Sequence, residues 1–113
     1  MNSRQLAFKV ISSLQAEIIG ANIMYVDGGN AYTRTQAKAH NIIHNYLTIV
    51  DCESADALLA AKQFVNSEDS DLIVLDSINE SGFAKKMSSK EISDFLNSIL
   101  KDAKKSKVAV LII

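Results

Sequence analysis

The segment DLIVLDSI, residues 71–78, decides how the rest of the chain is arranged. Four apolar residues in succession, Leu72 to Leu75, stand between Asp71 and Asp76. An unbroken apolar run of this length is typical of a strand that is buried on both faces, as strands of parallel sheets are. Ligands of open α/β sheets bind beyond the carboxyl ends of the strands. Asp76 therefore either holds a Mg²⁺-bound water beside a nucleotide phosphate or caps a turn.

Length and composition indicate a single soluble domain that covers residues 1–113. Apolar residues make up 48% of the chain and charged residues 22%, as in ordinary globular proteins. The net charge of −1 excludes an overall field that would attract nucleic acid or a membrane. Cys52 is the only cysteine, so no internal disulfide is expected, and no segment resembles a signal peptide or a membrane span. We therefore expect a cytoplasmic protein that does not contact a membrane.

Hydrophobic periodicity predicts four helices and four strands in alternation. Helices are expected at about 2–19, 33–41, 54–65 and 88–105, and strands at 23–27, 46–50, 71–76 and 108–113. The buried face of the first helix is expected to consist of apolar residues repeating at i+4 and their neighbours: Leu6, Val10, Leu14, Ile18, Ala7, Ile11 and Ile19. Because the predicted strands are not alternately polar, they indicate an α/β fold in three layers, with a mainly parallel four-stranded sheet between helices.

Capping residues in the sequence predict where several of the helices begin or end. Thr33 with Gln36, and Ser88 with Glu91, have the spacing of a reciprocal capping box, in which each residue's side chain bonds the other's backbone N–H. Gly20 is expected to end the first helix in a left-handed conformation.

Four segments resemble the core of the RecA/RadA recombinase ATPases, in the same order along the chain. They are QLAFKV at 5–10, IMYVDGGNAY at 23–32, DLIVLDSI at 71–78 and VAVLII at 108–113. The resemblance implies a RecA-like P-loop NTPase core that lacks the first strand of that family. The implied order of strands in the sheet is 46–50, 23–27, 71–76 and 108–113, that is, 2-1-3-4. The resemblance also makes Asp76 the Mg²⁺-site aspartate, with Asp27 and Ser77 beside it in a vestigial nucleotide site.

Residues that ATP hydrolysis needs are missing at the matching positions. No G-x-x-x-x-G-K-[ST] phosphate loop occurs in the chain. Matching QLA to the family places Ser3 and Arg4 where the family has its phosphate-loop Lys and Ser/Thr. Gly29 stands where the resemblance expects the catalytic glutamate. We therefore expect no enzymatic activity and no cofactor, with ATP and Mg²⁺ binding surviving only as a vestige.

The strand at 108–113 is expected to lie at the edge of the sheet, because the family's strand beside it would precede residue 1. An uncovered edge strand has free backbone groups that can pair with another chain. Val108, Val110 and Ile112 are expected to form an association edge for a second copy or for a recombinase-like partner. The predicted function is a non-catalytic RecA/RadA-like interaction module, for which the resemblance implies an accessory role in DNA recombination or repair.

Two other functions fit the sequence. The first is an ATP- or single-stranded-DNA-binding module that uses the vestigial carboxylates and the loop 79–90. Lys85, Lys86 and Lys90 of that loop would bind DNA weakly through its phosphates. The second is a hydrolase or a nucleotide-dependent enzyme with an unfamiliar site.

The remaining residues that could carry chemistry are few. His40 and His44 have the i, i+4 spacing of metal ligands on a helix, but no third ligand stands near them, so no metal site is predicted. Cys52 is expected to be a half-buried thiol rather than a nucleophile. Tyr25 and Tyr32 are expected to line a small cleft with the vestigial carboxylates.

Overall fold

A computed structural model describes residues 2–28, 31–52, 56–77 and 87–113 of the chain. Within these ranges, four α-helices alternate with four β-strands, which confirms the predicted order. The helices are α1 (Ser3–Glu17), α2 (Arg34–Ala39), α3 (Ala57–Val65) and α4 (Ser89–Ser106). The strands are β1 (Ile23–Asp27), β2 (Leu47–Asp51), β3 (Leu72–Asp76) and β4 (Ala109–Ile112). A 3₁₀ turn, His44–Tyr46, precedes β2.

The four strands form one sheet in the order β2-β1-β3-β4, and all neighbouring strands are parallel. Every residue of the central strands β1 and β3 is buried. Their apolar sequences do not alternate with polar residues because helices cover both faces of the sheet. The outer strands β2 and β4 are only partly buried. The predicted α/β fold and strand order 2-1-3-4 are confirmed, and the sheet is entirely parallel rather than mainly so.

Two hydrophobic clusters lie on opposite faces of the sheet. On one face, Phe8 and Ile11 of α1 pack against the inner side chains of β1 and β3, and α2 contributes Ala37. On the other face, Phe64 of α3 and Ile99 of α4 pack against the same two strands. The domain therefore has a helix–sheet–helix arrangement in three layers.

The buried face of α1 differs from the predicted one. Ala7, Phe8 and Ile11 are buried, whereas Leu6 is 54% exposed, and Ile19 lies beyond the helix and is fully exposed. Leu6 and Phe8 are two residues apart, which places their side chains about 160° apart around the helix axis. The aromatic ring of Phe8 buries more apolar surface than the side chain of Leu6 would, so Phe8 sets the rotation of the helix.

The helix α1 ends earlier than predicted, before Gly20. Glu17 is its last residue, and Ile18 has an extended backbone with φ −117°, which suits a β-branched residue. Gly20 does have the predicted left-handed conformation, with φ +75°. It lies in the following turn, where the N–H of Ala21 donates to the carbonyl of Ile18 at 3.1 Å. Gly20 therefore shapes the entry to β1 and does not cap the helix.

Other predicted boundaries shift by small amounts. The oxygen of Thr33 accepts the N–H of Gln36 at 3.1 Å, so Thr33 caps α2 and is not part of the helix. After α2, Asn41 has a left-handed conformation with φ 60° and ends the segment. Tyr46 belongs to the 3₁₀ turn and not to β2. The predicted helix start at Ser54 lies outside the described residues.

The two longest helices, α1 and α4, each begin with a reciprocal capping box. The Asn2 side chain accepts the N–H of Gln5 at 2.8 Å, and the Gln5 side chain accepts the N–H of Asn2 at 3.0 Å. The predicted pair Ser88 and Glu91 makes the equivalent bonds, both at 3.1 Å. The backbone of Ser88 lowers the pKa of Glu91 by donating to its carboxylate. These caps satisfy N–H groups that have no partner within the helix.

The rotation of α1 can be tested by comparing two alanine substitutions. Ile11→Ala removes a fully buried side chain and should lower the free energy of unfolding by about 3 kcal/mol. Leu6→Ala removes an exposed side chain and should lower it by no more than about 0.5 kcal/mol. Urea denaturation of both variants gives the comparison. Equal losses would show that Leu6 belongs to the buried face, as the i+4 pattern predicts.

Candidate functional site

Two aspartates lie side by side at the carboxyl edge of the sheet. Asp27 ends β1 and Asp76 ends β3, and the register of the two strands pairs these residues directly. Paired residues of neighbouring parallel strands project to the same face of the sheet, here the face covered by α1. Both aspartates are buried, and Asp76 is completely so. The fold therefore places two carboxylates where ligands of α/β sheets commonly bind.

Two side chains of the protein bind the carboxylate of Asp76. The Nε of Arg4 donates to Oδ2 at 2.7 Å, and its Nη2 donates to Oδ1 at 2.8 Å. The hydroxyl of Tyr25 also donates to Oδ2. The two bonds from Arg4 form a bidentate ion pair, the strongest geometry for a guanidinium and a carboxylate. We call Arg4, Tyr25 and Asp76 the carboxylate cluster.

Arg4 reaches Asp76 because of its position on α1. It lies four residues before Phe8 and seven before Ile11, so the three side chains share one face of the helix. The amino end of α1 therefore lies at the carboxyl edge of the sheet. The side chain of Arg4 is 32% exposed and extends from the surface to the buried carboxylate. The sequence alone predicts no partner for Arg4, because its alignment with the buried face is apparent only once Phe8 and Ile11 are known to form that face.

The carboxylate cluster shifts the pKa of both groups that donate to Asp76. The hydrogen bonds from Arg4 to Asp76 raise the pKa of the guanidinium above its ordinary value, so Arg4 remains positively charged. Burial raises the pKa of Tyr25, and the hydrogen bond that its hydroxyl donates to Asp76 raises that pKa further. Tyr25 therefore keeps its proton well into the alkaline range, and the cluster keeps all of its donors at physiological pH.

Asp27 binds the backbone that follows β1. Its Oδ1 accepts the N–H of Ala31 at 3.0 Å, and its Oδ2 accepts the N–H of Tyr32 at 3.2 Å. Aspartate side chains commonly organise turns by such bonds. The hydroxyl of Tyr32 lies 2.8 Å from Nδ1 of His44, which links this segment to the turn before β2. Burial raises the pKa of Tyr32.

Aromatic rings fill the space beneath the two aspartates. The ring of Phe8 lies 6.0 Å from that of Tyr25 and 6.0 Å from that of Tyr32, and these two tyrosine rings are 5.3 Å apart. Tyr25 is completely buried. The sequence predicts that Tyr25 and Tyr32 line a cleft. That expectation is wrong for Tyr25, because its ring packs in the core and only its hydroxyl reaches Asp76.

The two histidines and the cysteine have separate environments. Nδ1 of His40 lies 2.9 Å from the carbonyl of Gln36, whereas His44 faces Tyr32. In the part of the chain that the structure describes, no three His, Cys, Asp or Glu side chains are placed to hold a metal ion. Cys52 is buried, more deeply than the predicted half-buried thiol.

The other residues of the predicted nucleotide and DNA sites follow β3, lie in α4 or fall outside the described ranges. Ser77 follows β3 directly and is half-buried. Lys90 is exposed in the first turn of α4. Lys85, Lys86 and Gly29, together with most of the loop 79–90, lie outside the described residues.

At one side of the sheet, β4 is the outer strand, as predicted. The backbone N–H groups of Ala109 and Ile113 donate, each at 3.0 Å, to carbonyls immediately before and within β3. In a parallel pair, alternate residues bond to the same neighbouring strand. The N–H and C=O groups of Val110 and Ile112 therefore point away from β3, to the outer side of the sheet. We call this outer side of β4 the β4 edge.

An apolar groove of about 380 Å³ runs beside the β4 edge, along the outer side of α4. Its apolar lining consists of Ile92, Leu96, Leu100 and Ile112. The side chains of Leu100 and Ile112 are 43% and 46% exposed. Three residues were predicted to form the edge. The prediction is wrong for Val108, which precedes β4 and is buried in the core. Val110 lies on β4 and is half-buried on the groove side of the sheet.

No protein-family model matches the chain, and no curated protein matches it significantly. The features of the described residues that bear on function are the carboxylate cluster and the β4 edge with its groove. Among the helices that the structure describes, none is both long enough and apolar enough to cross a membrane.

The ion pair can be tested with a double-mutant cycle. Arg4→Met leaves the buried charge of Asp76 without its cation and should lower the free energy of unfolding by about 3 kcal/mol. In a protein that already carries Asp76→Asn, Arg4→Met should cost at least about 1 kcal/mol less, because no buried negative charge remains. Urea denaturation of the four proteins measures this coupling. Additive effects of the two substitutions would contradict a direct ion pair.

The raised pKa of Tyr25 predicts a loss of stability at alkaline pH. The folded pKa lies above the unfolded value of 10.0, so this contribution is complete below about pH 10 and is lost as the pH rises further. The stability advantage of the native protein over Tyr25→Phe should shrink by about 1.4 kcal/mol per pH unit above pH 10. Urea denaturation of both proteins at several alkaline pH values measures this slope. A constant difference would show that the pKa of Tyr25 is not raised.

Proposed function

We propose that the chain is a non-catalytic interaction module, related to the RecA/RadA recombinase core, that associates with further copies of itself through the β4 edge. The observation that carries the proposal is the combination of outward backbone groups on Val110 and Ile112 with the apolar groove beside them. An accessory role in DNA recombination or repair follows from the proposed relationship alone.

The bonds to Asp76 support a role without nucleotide hydrolysis. The resemblance gives Asp76 the task of holding Mg²⁺, but both of its oxygens accept hydrogen bonds from Arg4. A guanidinium in this position competes with a divalent cation for the same oxygens and repels its charge. Matching QLA to the family places Arg4 at the Ser/Thr that would bind Mg²⁺. The chain thus supplies its own cation where the family uses a metal.

The arrangement of the sheet supports the proposed relationship. The parallel order β2-β1-β3-β4 is the one that the resemblance implies. Asp27 and Asp76 end adjacent strands, as the vestigial nucleotide site requires. The segments that carry the resemblance fall in α1, β1, β3 and β4, and they include the two central strands, in which every residue is buried.

The β4 edge has the two properties of a surface that adds a strand. Its outward N–H and C=O groups can each gain a partner in another chain, which is how exposed edges associate. The groove beside it presents leucine and isoleucine side chains whose burial would stabilise the contact by about 25 cal/mol for each Å² removed from water. Backbone hydrogen bonds would fix the orientation of the added strand. Burial of the apolar side chains of the groove would contribute to the binding free energy.

A lysine at the β4 edge should prevent association. Ile112→Lys places a charge in the groove, where a second chain would have to bury it, while leaving the bonds from β4 to β3 intact. Light-scattering chromatography should show concentration-dependent association for the native chain and a monomer for Ile112→Lys. Leu6→Lys alters an equally exposed side chain on α1 and should associate like the native chain.

Circular dichroism establishes that each variant is folded before its mass is compared. The proposal is wrong if the native chain remains monomeric at every concentration. It is also wrong if Ile112→Lys associates as strongly as the native chain.

A further inference from the structure

A polar cavity of about 320 Å³ lies between α1 and the carboxyl end of α2. Its lining consists of Lys9, Ser12, Ser13, Ala39, His40 and Asn41. Lys9, Ser12 and Ser13 have i, i+3 and i+4 spacing, so their side chains share one face of α1. Small-molecule sites in proteins begin at about this volume. None of these six residues belongs to the β4 edge or its groove, so the cavity is independent of the proposed association.

The cavity is also separate from the carboxylate cluster. Lys9 and Ser13 follow Arg4 by about 7 and 14 Å along the axis of α1. Neither Arg4 nor the two residues that it approaches in that cluster line the cavity. A ligand in the cavity therefore does not compete for the vestigial nucleotide site.

Contacts between α1 and the segment that follows α2 fix the walls of the cavity. The side chain of Gln15 donates to the carbonyl of Ile43 at 3.0 Å and accepts the N–H of Ile43 at 2.7 Å. The ring of His40 packs against that of Phe8, with the ring centroids 5.2 Å apart. The two walls are thus joined by hydrogen bonds and by ring packing, so a ligand does not have to order them when it binds.

Most polar side chains of the lining are available to a ligand. Among the described residues, no hydrogen bond or ion pair of the protein engages the side chains of Lys9, Ser12, Ser13 and Asn41. Nδ1 of His40 lies 2.9 Å from the carbonyl oxygen of Gln36, which can only accept a hydrogen bond. Nδ1 therefore carries the proton, and Nε2 of the neutral ring is left as a hydrogen-bond acceptor.

The charge of the lining favours an anionic ligand. Lys9 brings an ammonium group, and none of the described residues that line the cavity is acidic. The carbonyls of residues 36–38, at the end of α2, accept backbone N–H groups of residues 40–42 at 2.9 to 3.2 Å. Because these carbonyls are bonded, they repel an anion less than free carbonyls at a helix end would.

We infer that this cavity binds a small phosphate ester whose alcohol part carries hydroxyl groups. The ammonium group of Lys9 and the hydroxyls of Ser12 and Ser13 are donors suited to the phosphate oxygens. Nε2 of His40 and the amide of Asn41 are suited to the hydroxyl groups of the alcohol part. The imidazole nitrogen accepts a hydrogen bond, and the amide both accepts and donates. A sugar phosphate combines these two parts in one molecule.

Titration with ribose 5-phosphate, followed by heteronuclear NMR at physiological ionic strength, tests the inference. Saturable shifts should appear at the backbone amides of the lining residues. Lys9→Gln should weaken binding about tenfold, because the phosphate loses its ammonium partner. Lys38→Gln makes the same change of charge at an exposed position of α2 that does not line the cavity, and it should bind like the native chain.

Asn41→Gly tests the alcohol part of the ligand separately. Glycine adopts the left-handed conformation of Asn41, with φ 60°, without strain, so the variant loses the amide and keeps the turn. It should weaken the binding of ribose 5-phosphate about threefold and leave the binding of inorganic phosphate unchanged.

Three outcomes would overturn the inference in whole or in part. If neither ribose 5-phosphate nor inorganic phosphate causes saturable shifts at the lining residues, the cavity is not a phosphate site. If Lys38→Gln weakens binding as much as Lys9→Gln, the attraction comes from general positive charge and not from the cavity. If Asn41→Gly binds both probes like the native chain, or inorganic phosphate binds as tightly as the ester, the assignment of a hydroxyl-bearing alcohol part is wrong.

Discussion

The ion pair between Arg4 and Asp76 joins the first helix to the last buried residue of the central strand, and the arrangement of the carboxyl edge depends on it. A completely buried carboxylate is tolerated only when its charge is compensated and its oxygens are hydrogen-bonded. Arg4 meets both requirements, and Tyr25 supplies a third donor. Because Arg4 shares a face with Phe8, the same contact fixes the rotation of α1 over the sheet. Electrostatic pairing and core packing therefore select one orientation together.

The sheet was predictable from sequence because its signals are local. The unbroken apolar run of β3 and the similar run of β1 identify buried parallel strands without reference to any other residue. The caps at Thr33 and Ser88 are equally local. The order of the strands in the sheet was predicted only through the resemblance. The residues of β2 and β4 contain no local signal that identifies the neighbouring strand.

The contacts of Arg4 and the buried face of α1 could not be predicted from local sequence signals. Arg4 and Asp76 are separated by most of the chain, and their pairing depends on the sheet register and on the direction of α1. The i+4 repeat beginning at Leu6 is a valid amphipathic pattern, yet Phe8 and Ile11 form a competing one. Only the sheet decides between them, because the ring of Phe8 packs against Tyr25 and Tyr32.

The two buried aspartates at the carboxyl edge are both hydrogen-bonded by groups of the protein itself. Parallel sheets usually bind ligands at the carboxyl ends of their strands, with polar groups that remain free for the ligand. Here Arg4 and Tyr25 bind Asp76, and the backbone of Ala31 and Tyr32 binds Asp27. The outer strands differ, because a sheet that does not close must end in backbone groups directed outward. Among the residues that the structure describes, outward backbone groups thus lie at the sides of the sheet, and at β4 they stand next to the exposed leucine and isoleucine side chains of the groove.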